Sequence, residues 1–256
     1  MPLLELRGID KSFGRLAVLK DLSLSVQAGA IDGVIGPNGA GKSTLFNIIT
    51  GVYRPDAGEV RFGDARIDRL PTYRIARRGI ARTFQNLRLF GHLDAVENVL
   101  IGQNPNLRAT LADSLLHTPR ERREEAIARA RAHELLDFVG LRDNKEQFAR
   151  NLPYGAQRRL ELARALASDP QLLLLDEPAA GTNPTEKEEL ARLVRAIRDR
   201  GTTVLLIEHD MGLVMRLCER ITVLDYGEKI AAGDAASVRA NPRVIEASLG
   251  PPDTAA

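Results

Sequence analysis

Several things are scarce in this chain, and each shortage excludes something. Among 256 residues there is one cysteine, Cys218. No intrachain disulfide can form, so a small secreted scaffold held by bridges is excluded. Flanked by Leu217 and Glu219, Cys218 is expected to be a core or near-core thiol. Neither sign of charge is in surplus. The 36 basic residues face 34 acidic ones, for a formal net charge of +2. That balance carries no electrostatic footprint for nucleic acid. The four histidines are scattered without metal-ligand spacing. Long apolar runs are missing as well. Leu172 to Leu175 and Val204 to Ile207 have the length of a strand and cannot span a bilayer. The opening MPLLELRGID has neither a basic start nor a long apolar stretch, so it does not read as a signal peptide. Internal repeats and low-complexity tracts are absent.

What remains is an ordinary globular composition, 44% hydrophobic and 27% charged. The length suits one large domain, or one domain with a subdomain. The first 30 residues alternate apolar and polar (Leu4, Leu6, Ile9, then Leu22, Leu24, Val26), which predicts antiparallel strands with turns near Phe13-Gly14 and Ala28-Gly29. Ile31 to Ile35 reads as a short buried strand that Asp32 interrupts. An apolar helix is expected over about Lys42 to Thr50, with Gly51 as its C′ residue. Asn104 to Pro119 reads as a loop with a short helix. Arg120 to Val139 reads as an amphipathic helix with Ala128, Ala132, Leu135, Leu136 and Val139 on one face and Glu125 to Arg129 as a well-oriented i,i+4 pair. Further on, a helix is expected over Gln157 to Ala167, and buried strands at Leu172 to Leu175, Thr203 to Ile207 and Ile221 to Leu224. Asn183-Pro184-Thr185-Glu186 has the form of a helix start. Buried runs alternating with helices argue for a parallel sheet covered on both faces. The tail from Pro251 to Ala256 is expected to be disordered.

One segment carries specific chemistry. Gly36-Pro37-Asn38-Gly39-Ala40-Gly41-Lys42-Ser43 satisfies G-x-x-x-x-G-K-[ST], between a short apolar strand and a helix. Such a loop aims backbone N–H groups at phosphate oxygens, and the helix N-terminus adds partial positive charge. Lys42 is expected to reach the β- and γ-phosphates and Ser43 to ligate Mg²⁺, with Thr44 beside it. Asp176 and Glu177 stand just past the apolar run Leu172 to Leu175. Alone they could be two exposed strand-end acids. In a chain with a phosphate loop they fit a metal-binding carboxylate, Asp176, and a group that polarises the attacking water, Glu177. Glu208-His209-Asp210 follows another apolar strand, so parallel pairing would bring His209 to the same sheet edge, where it could hydrogen-bond a γ-phosphate.

The order of these pieces resembles one family. Phe13, GPNGAGKST at Gly36 to Thr44, Gln85, NLPYGAQRRLELARAL at Asn151 to Leu166, LLLLDEP at Leu172 to Pro178, AGTN at Ala180 to Asn183 and His209 together resemble an ATP-binding-cassette ATPase, over about residues 3 to 250. The resemblance implies an α/β fold with a mixed-sheet P-loop core, an N-terminal antiparallel β subdomain and a helical subdomain. The core would take about 1–85 and 160–250, the helical part about 86–159. ATP and Mg²⁺ are the implied ligands. Phe13 would stack on adenine, and Gly36, Pro37, Asn38, Gly39, Ala40, Gly41, Lys42, Ser43 and Thr44 would hold the phosphates. Ser43, Gln85 and Asp176 would serve the metal. Lys42, Gln85, Glu177 and His209 would serve catalysis. Leu152 to Ala156 occupies the signature position, from which Tyr154, Gly155 and Ala156 would touch ATP held by an opposite subunit. Ala180 to Asn183 would be the D-loop, the stretch after the metal-binding strand.

A narrower resemblance is carried by FGHLDAVENVLIGQ, HTPRERREEAIARARAHELLDFVGL and YGEKIAAGDAASVRANPRVIEASLG. These are similar to the LivG type, one of two ATPase subunits of branched-chain amino-acid importers. That implies a second ATPase subunit (heterodimer or homodimer), two membrane permeases, indirect contact with an extracytoplasmic solute-binding protein and no nucleic acid. The location would be peripheral, on the cytoplasmic face of the inner membrane. Gln85 to Gln103 would form the groove for a short permease helix. Urea or short-amide uptake, lipopolysaccharide export and a soluble non-transport ATPase remain alternatives. One departure stands out. The usual signature is Leu-Ser-Gly-Gly-Gln, whereas this chain has Leu152-Pro153-Tyr154-Gly155-Ala156 followed by Gln157. Pro153 offers neither a hydroxyl nor an N–H. Losing one hydrogen bond to phosphate is expected to weaken that composite site by roughly 1.5–3 kcal/mol, while the chain's own P-loop pocket stays intact.

Overall fold

The computed structural model describes residues 2–103 and 119–244, with the backbone alone for 119–122. The expectations for 104–118 and for the tail after 244 lie outside these residues. The chain divides into two compact units, residues 1–75 with 174–256 and residues 76–173.

The first unit begins with β1 (Leu4–Phe13) and β2 (Leu16–Val26), a long antiparallel hairpin. Leu4 and Leu6 turn into the interior with the predicted period of two, and Ile9 is buried as well because the register shifts between Leu6 and Ile9. With β4 (Ala57–Phe62) and β5 (Ala65–Arg66) they form a four-stranded sheet in the order β2-β1-β4-β5. A second sheet runs β10 (Glu228–Gly233), β9 (Arg220–Asp225), β3 (Ile31–Ile35), β8 (Thr203–Ile207) and β7 (Leu172–Asp176). Every residue of β3, β7 and β8 is buried, which is why these strands read as unbroken apolar runs. The sheet is not wholly parallel. β3 pairs in parallel with β8 and β9, whereas β10 folds back against β9 through a tight turn and pairs antiparallel.

Helices of this unit are set by their caps. α1 (Lys42–Ile49) buries Leu45, Phe46, Ile48 and Ile49 and ends at Thr50. α6 (Pro184–Asp199) starts on a full capping box: Asn183 accepts from the Glu186 N–H, and the Glu186 carboxylate accepts from the Asn183 N–H. α7 (Met211–Leu217) is capped by Asp210 and packs closely on β3, since a Cβ at Gly33 would lie 2.9 Å from Cys218 Sγ. Cys218 is buried here as expected. The short helices α2 (Thr72–Arg77) and α8 (Ala235–Arg239) complete the set.

The second unit is mainly helical. α3 (Ala95–Gly102) opens on a second capping box, made by Asp94 and Glu97. α4 (Pro119–Phe138) carries the expected buried face of Ala128, Ala132, Leu135 and Leu136, with Val139 just beyond its end, and the expected Glu125–Arg129 ion pair at 3.1 Å. α5 (Tyr154–Leu166) starts three residues earlier than the sequence suggests, with Pro153 as its N-cap. A short strand, β6 (Ile80–Arg82), precedes the loop that carries Gln85. Asn98, wholly buried, organises residues 90–94: its Oδ1 accepts from the Phe90 N–H and its Nδ2 donates to the carbonyls of Phe90 and Asp94. No helix among the described residues is long and apolar enough to cross a membrane.

Candidate active site

In the first unit the loop between β3 and α1 wraps tightly for a specific reason. Gly36 has φ 151°, and a Cβ there would lie 2.1 Å from the carbonyl oxygen of Leu224. Only glycine lets the loop pass that close to β9. Gly41, at φ 99°, is the N-cap of α1, and no side chain caps the helix. The first N–H groups of α1 therefore face outward as an anion-binding edge. Lys42 is almost fully buried, and its ammonium donates to the carbonyls of Gly36 (2.7 Å) and Pro37 (2.8 Å). Burial lowers its pKa, while the Glu177 and Asp176 carboxylates act the other way. Ser43 is exposed and Thr44 half-buried on the first turn.

The acid pair sits where β7 ends. Asp176 is buried and Glu177 half-buried. Glu177 has φ 47°, a left-handed backbone that costs a non-glycine residue about 1–2 kcal/mol. Its N–H donates to the Ile207 carbonyl, which pins this turn to the end of β8. Strain held at a candidate catalytic position is the kind that fixes a side chain in one place. His209, on the loop after β8, brings Nδ1 to 3.8 Å from Glu177 Oε2. The structure thus gathers Lys42, Asp176, Glu177 and His209 at one edge of the sheet. Phe13, at the end of β1, is 43% exposed. Its ring meets Tyr53 edge-on at 5.1 Å, and Lys11 Nζ lies 5.3 Å from its centroid. A flat, half-exposed aromatic face is what a nucleobase can stack on.

The remaining expected residues belong to the second unit. Gln85, Tyr154 and Gly155 are accessible, and Ala156 is buried at the start of α5. The structure links two of these groups through a residue that the sequence did not single out. Arg158 is buried; its guanidinium donates to the carbonyls of Phe84 (2.9 Å) and Gln85 (2.6 Å) and to the Tyr154 hydroxyl (2.7 Å). One turn on, the Glu161 carboxylate accepts from the Phe84 N–H. The Gln85 loop is thus gripped by its backbone. A second residue outside the sequence reading is Glu208 in the first unit, wholly buried directly after β8. Its burial pushes its carboxyl pKa up, against the N–H groups of Ala179, His209 and Asp210 that favour the ionised form. The only sequence signal for Glu208 is a charge at the end of an apolar run, the same signal that marks Asp176. Among the described residues no group of three or more His, Cys, Asp and Glu is placed to hold a metal.

Strand, glycine-rich turn and helix, followed by strand-end carboxylates, define a P-loop nucleotide-binding protein. The model of the ABC transporter family matches residues 19–180, and the chain belongs to that family, whose members are ATP-binding-cassette ATPases. Its similarity to curated proteins is nearly end to end. It is 44% identical over 250 residues to the high-affinity branched-chain amino acid transport ATP-binding protein LivG of Escherichia coli strain K12, covering 97% of this chain and 98% of that one. The same figures hold for BraF, the corresponding ATP-binding protein of Pseudomonas aeruginosa strain PAO1. Among solved structures it is similar to the ADP conformation of MJ1267, an ATP-binding cassette of an ABC transporter. There the TM-score is 0.85 and the identity 32%, with 98% of this chain and 100% of that chain covered.

Proposed function

We propose that this chain is the ATP-hydrolysing subunit of an importer for branched-chain amino acids, working with separate membrane permeases and a second ATPase subunit. One observation carries the substrate class: the 44% identity runs over 97% of the chain to proteins named for that transport. ATP is the substrate of the first unit's site. Phe13 takes the adenine, the loop from Gly36 to Thr44 takes the phosphates, and Lys42 neutralises the γ-phosphate. Glu177 orients a water for in-line attack on the γ-phosphorus, and His209, beside it, donates to a γ-phosphate oxygen. Gln85 reports nucleotide state to the permease through the segment from Gln85 to Gln103. Tyr154, Gly155 and Ala156 act on ATP held by the opposite subunit.

The donor set suits Mg²⁺. Ser43 offers a hydroxyl on the first turn of α1 and Asp176 a buried strand-end carboxylate. These are few, hard oxygen ligands of the kind that share Mg²⁺ with phosphates. Bound there, the ion would supply charge neutralisation at the phosphates.

The test is isolation of the tagged chain from native membranes in mild detergent. The expected result is two distinct permeases and a second ATPase, with a cognate binding protein that takes leucine, isoleucine or valine. A cognate binding protein that takes urea, or a lipid-exporting partner set, would replace the substrate class. Recovery with soluble nucleic-acid factors would overturn the transport role.

A further inference from the structure

Two loops of the first unit are tied to each other at both of their ends. The first follows β7 and runs to the start of α6; the second joins β8 to α7. At the near end, Glu208 Oε1 accepts from the Ala179 N–H at 2.7 Å. The other oxygen of the same carboxylate accepts from the His209 N–H at 3.1 Å. At the far end, Lys187 on the first turn of α6 donates to Asp210 Oδ2 at 2.6 Å. Asp210 Oδ1 meanwhile caps α7 by accepting from the Leu213 N–H. His209 stands between the two ties, with its Nδ1 3.8 Å from Oε2 of Glu177, which lies just ahead of the tie at Ala179.

The near tie is an expensive one. Glu208 is completely buried, and among the described residues its basic neighbour is the exposed His209 ring, Nδ1 at 3.8 Å, with no lysine or arginine paired to it. A buried carboxylate without a cation is destabilising unless hydrogen bonds compensate it. Here backbone N–H groups do so, and they come from both loops. The Ala179 bond is the one that crosses between the loops, while the second oxygen, accepting from the His209 N–H within its own loop, fixes the direction in which the first is aimed.

We propose that Glu208 and Lys187 form a two-point clamp that makes residues 178–183 and 208–210 move as one body. Pressure from an opposite ATPase subunit on the first loop then sets the distance of His209 from Glu177. This rests on the ATPase function proposed above. Glu208 and Lys187 are positioning residues and need not touch nucleotide.

Hydrogen–deuterium exchange on the full chain, without nucleotide, tests the clamp directly. Glu208→Gln keeps the shape but leaves one acceptor oxygen for two donors, and Lys187→Met cuts the far tie on a half-exposed helix turn. Each is expected to raise exchange in both loops together, and Lys187→Arg is expected to restore the wild-type pattern. In steady-state phosphate release, Glu208→Gln is expected to lower kcat on the order of tenfold, with KM for ATP unchanged within about twofold. Faster exchange only in the loop that carries the substitution would overturn the clamp. So would a wild-type kcat in both variants. Wild-type protein that fails to hydrolyse ATP would remove the ATPase function instead and leave the exchange result to decide the clamp.

Discussion

Asp32 sits inside a strand whose other residues are apolar, and its environment explains what it does to stability. Burial pushes its carboxyl up to about 6, opposed by Arg220, its register partner on β9. An acid raised in the folded state binds its proton more tightly there than in the unfolded chain, so it costs stability wherever it is ionised. That cost is absent below about pH 4, grows as pH rises towards 6, and is constant above. Asp32→Asn is therefore expected to stabilise the protein by up to about 3 kcal/mol at pH 8 and by almost nothing at pH 4. Urea denaturation at the two pH values measures this, and equal effects at both would refute it. At the nucleotide site, Glu177→Gln removes the group proposed to orient water. Turnover is expected to fall by on the order of 10²–10⁴-fold, with binding of a fluorescent ATP analogue retained. Gly36→Ala has the opposite signature. Its Cβ has no room beside Leu224, so nucleotide binding itself is expected to be lost.

Elements differ in how legibly their residues announce them. β3, β7 and β8 are buried on both faces, so each is a bare apolar run between turn residues, and the sequence shows them plainly. α6 is equally plain, because Asn183, Pro184 and Glu186 stand in the order that a capped helix requires. Asn183→Ala is expected to cost about 1 kcal/mol of stability, read as a lower denaturation midpoint. β10 and the start of α5 are less readable. β10 is a largely exposed hairpin partner with no apolar face to betray it, and α5 begins on the Pro153-Tyr154-Gly155 stretch, whose helix propensity is poor. Hardest to see are Glu208 and Arg158. Glu208 bonds to a backbone group 29 residues away and Arg158 to one 74 residues away, so no local spacing records either contact. The residues proposed for catalysis stand out in the sequence because they lie in local motifs, a glycine-rich loop or the end of an apolar run; Glu208 and Arg158 answer only to the fold. Arg158→Met is expected to loosen the loop around Phe84 and Gln85, visible as faster amide exchange over residues 83–88.

For the molecule as a whole, the departure at Pro153 sets one expectation. In an assembled pair, Pro153→Ser in this chain restores a hydroxyl to the signature position. It is expected to raise turnover at the nucleotide site of the opposite subunit, and an unchanged rate would count against a site weakened by Pro153. Such experiments need a way to watch one place on the protein at a time. The lone thiol, packed beneath Gly33 and pushed towards its protonated form by burial, makes that simple. Protonated and covered, it is a poor nucleophile towards maleimides. A single cysteine introduced on an accessible loop would then take a fluorophore or spin label selectively, with the native sequence otherwise left as it is.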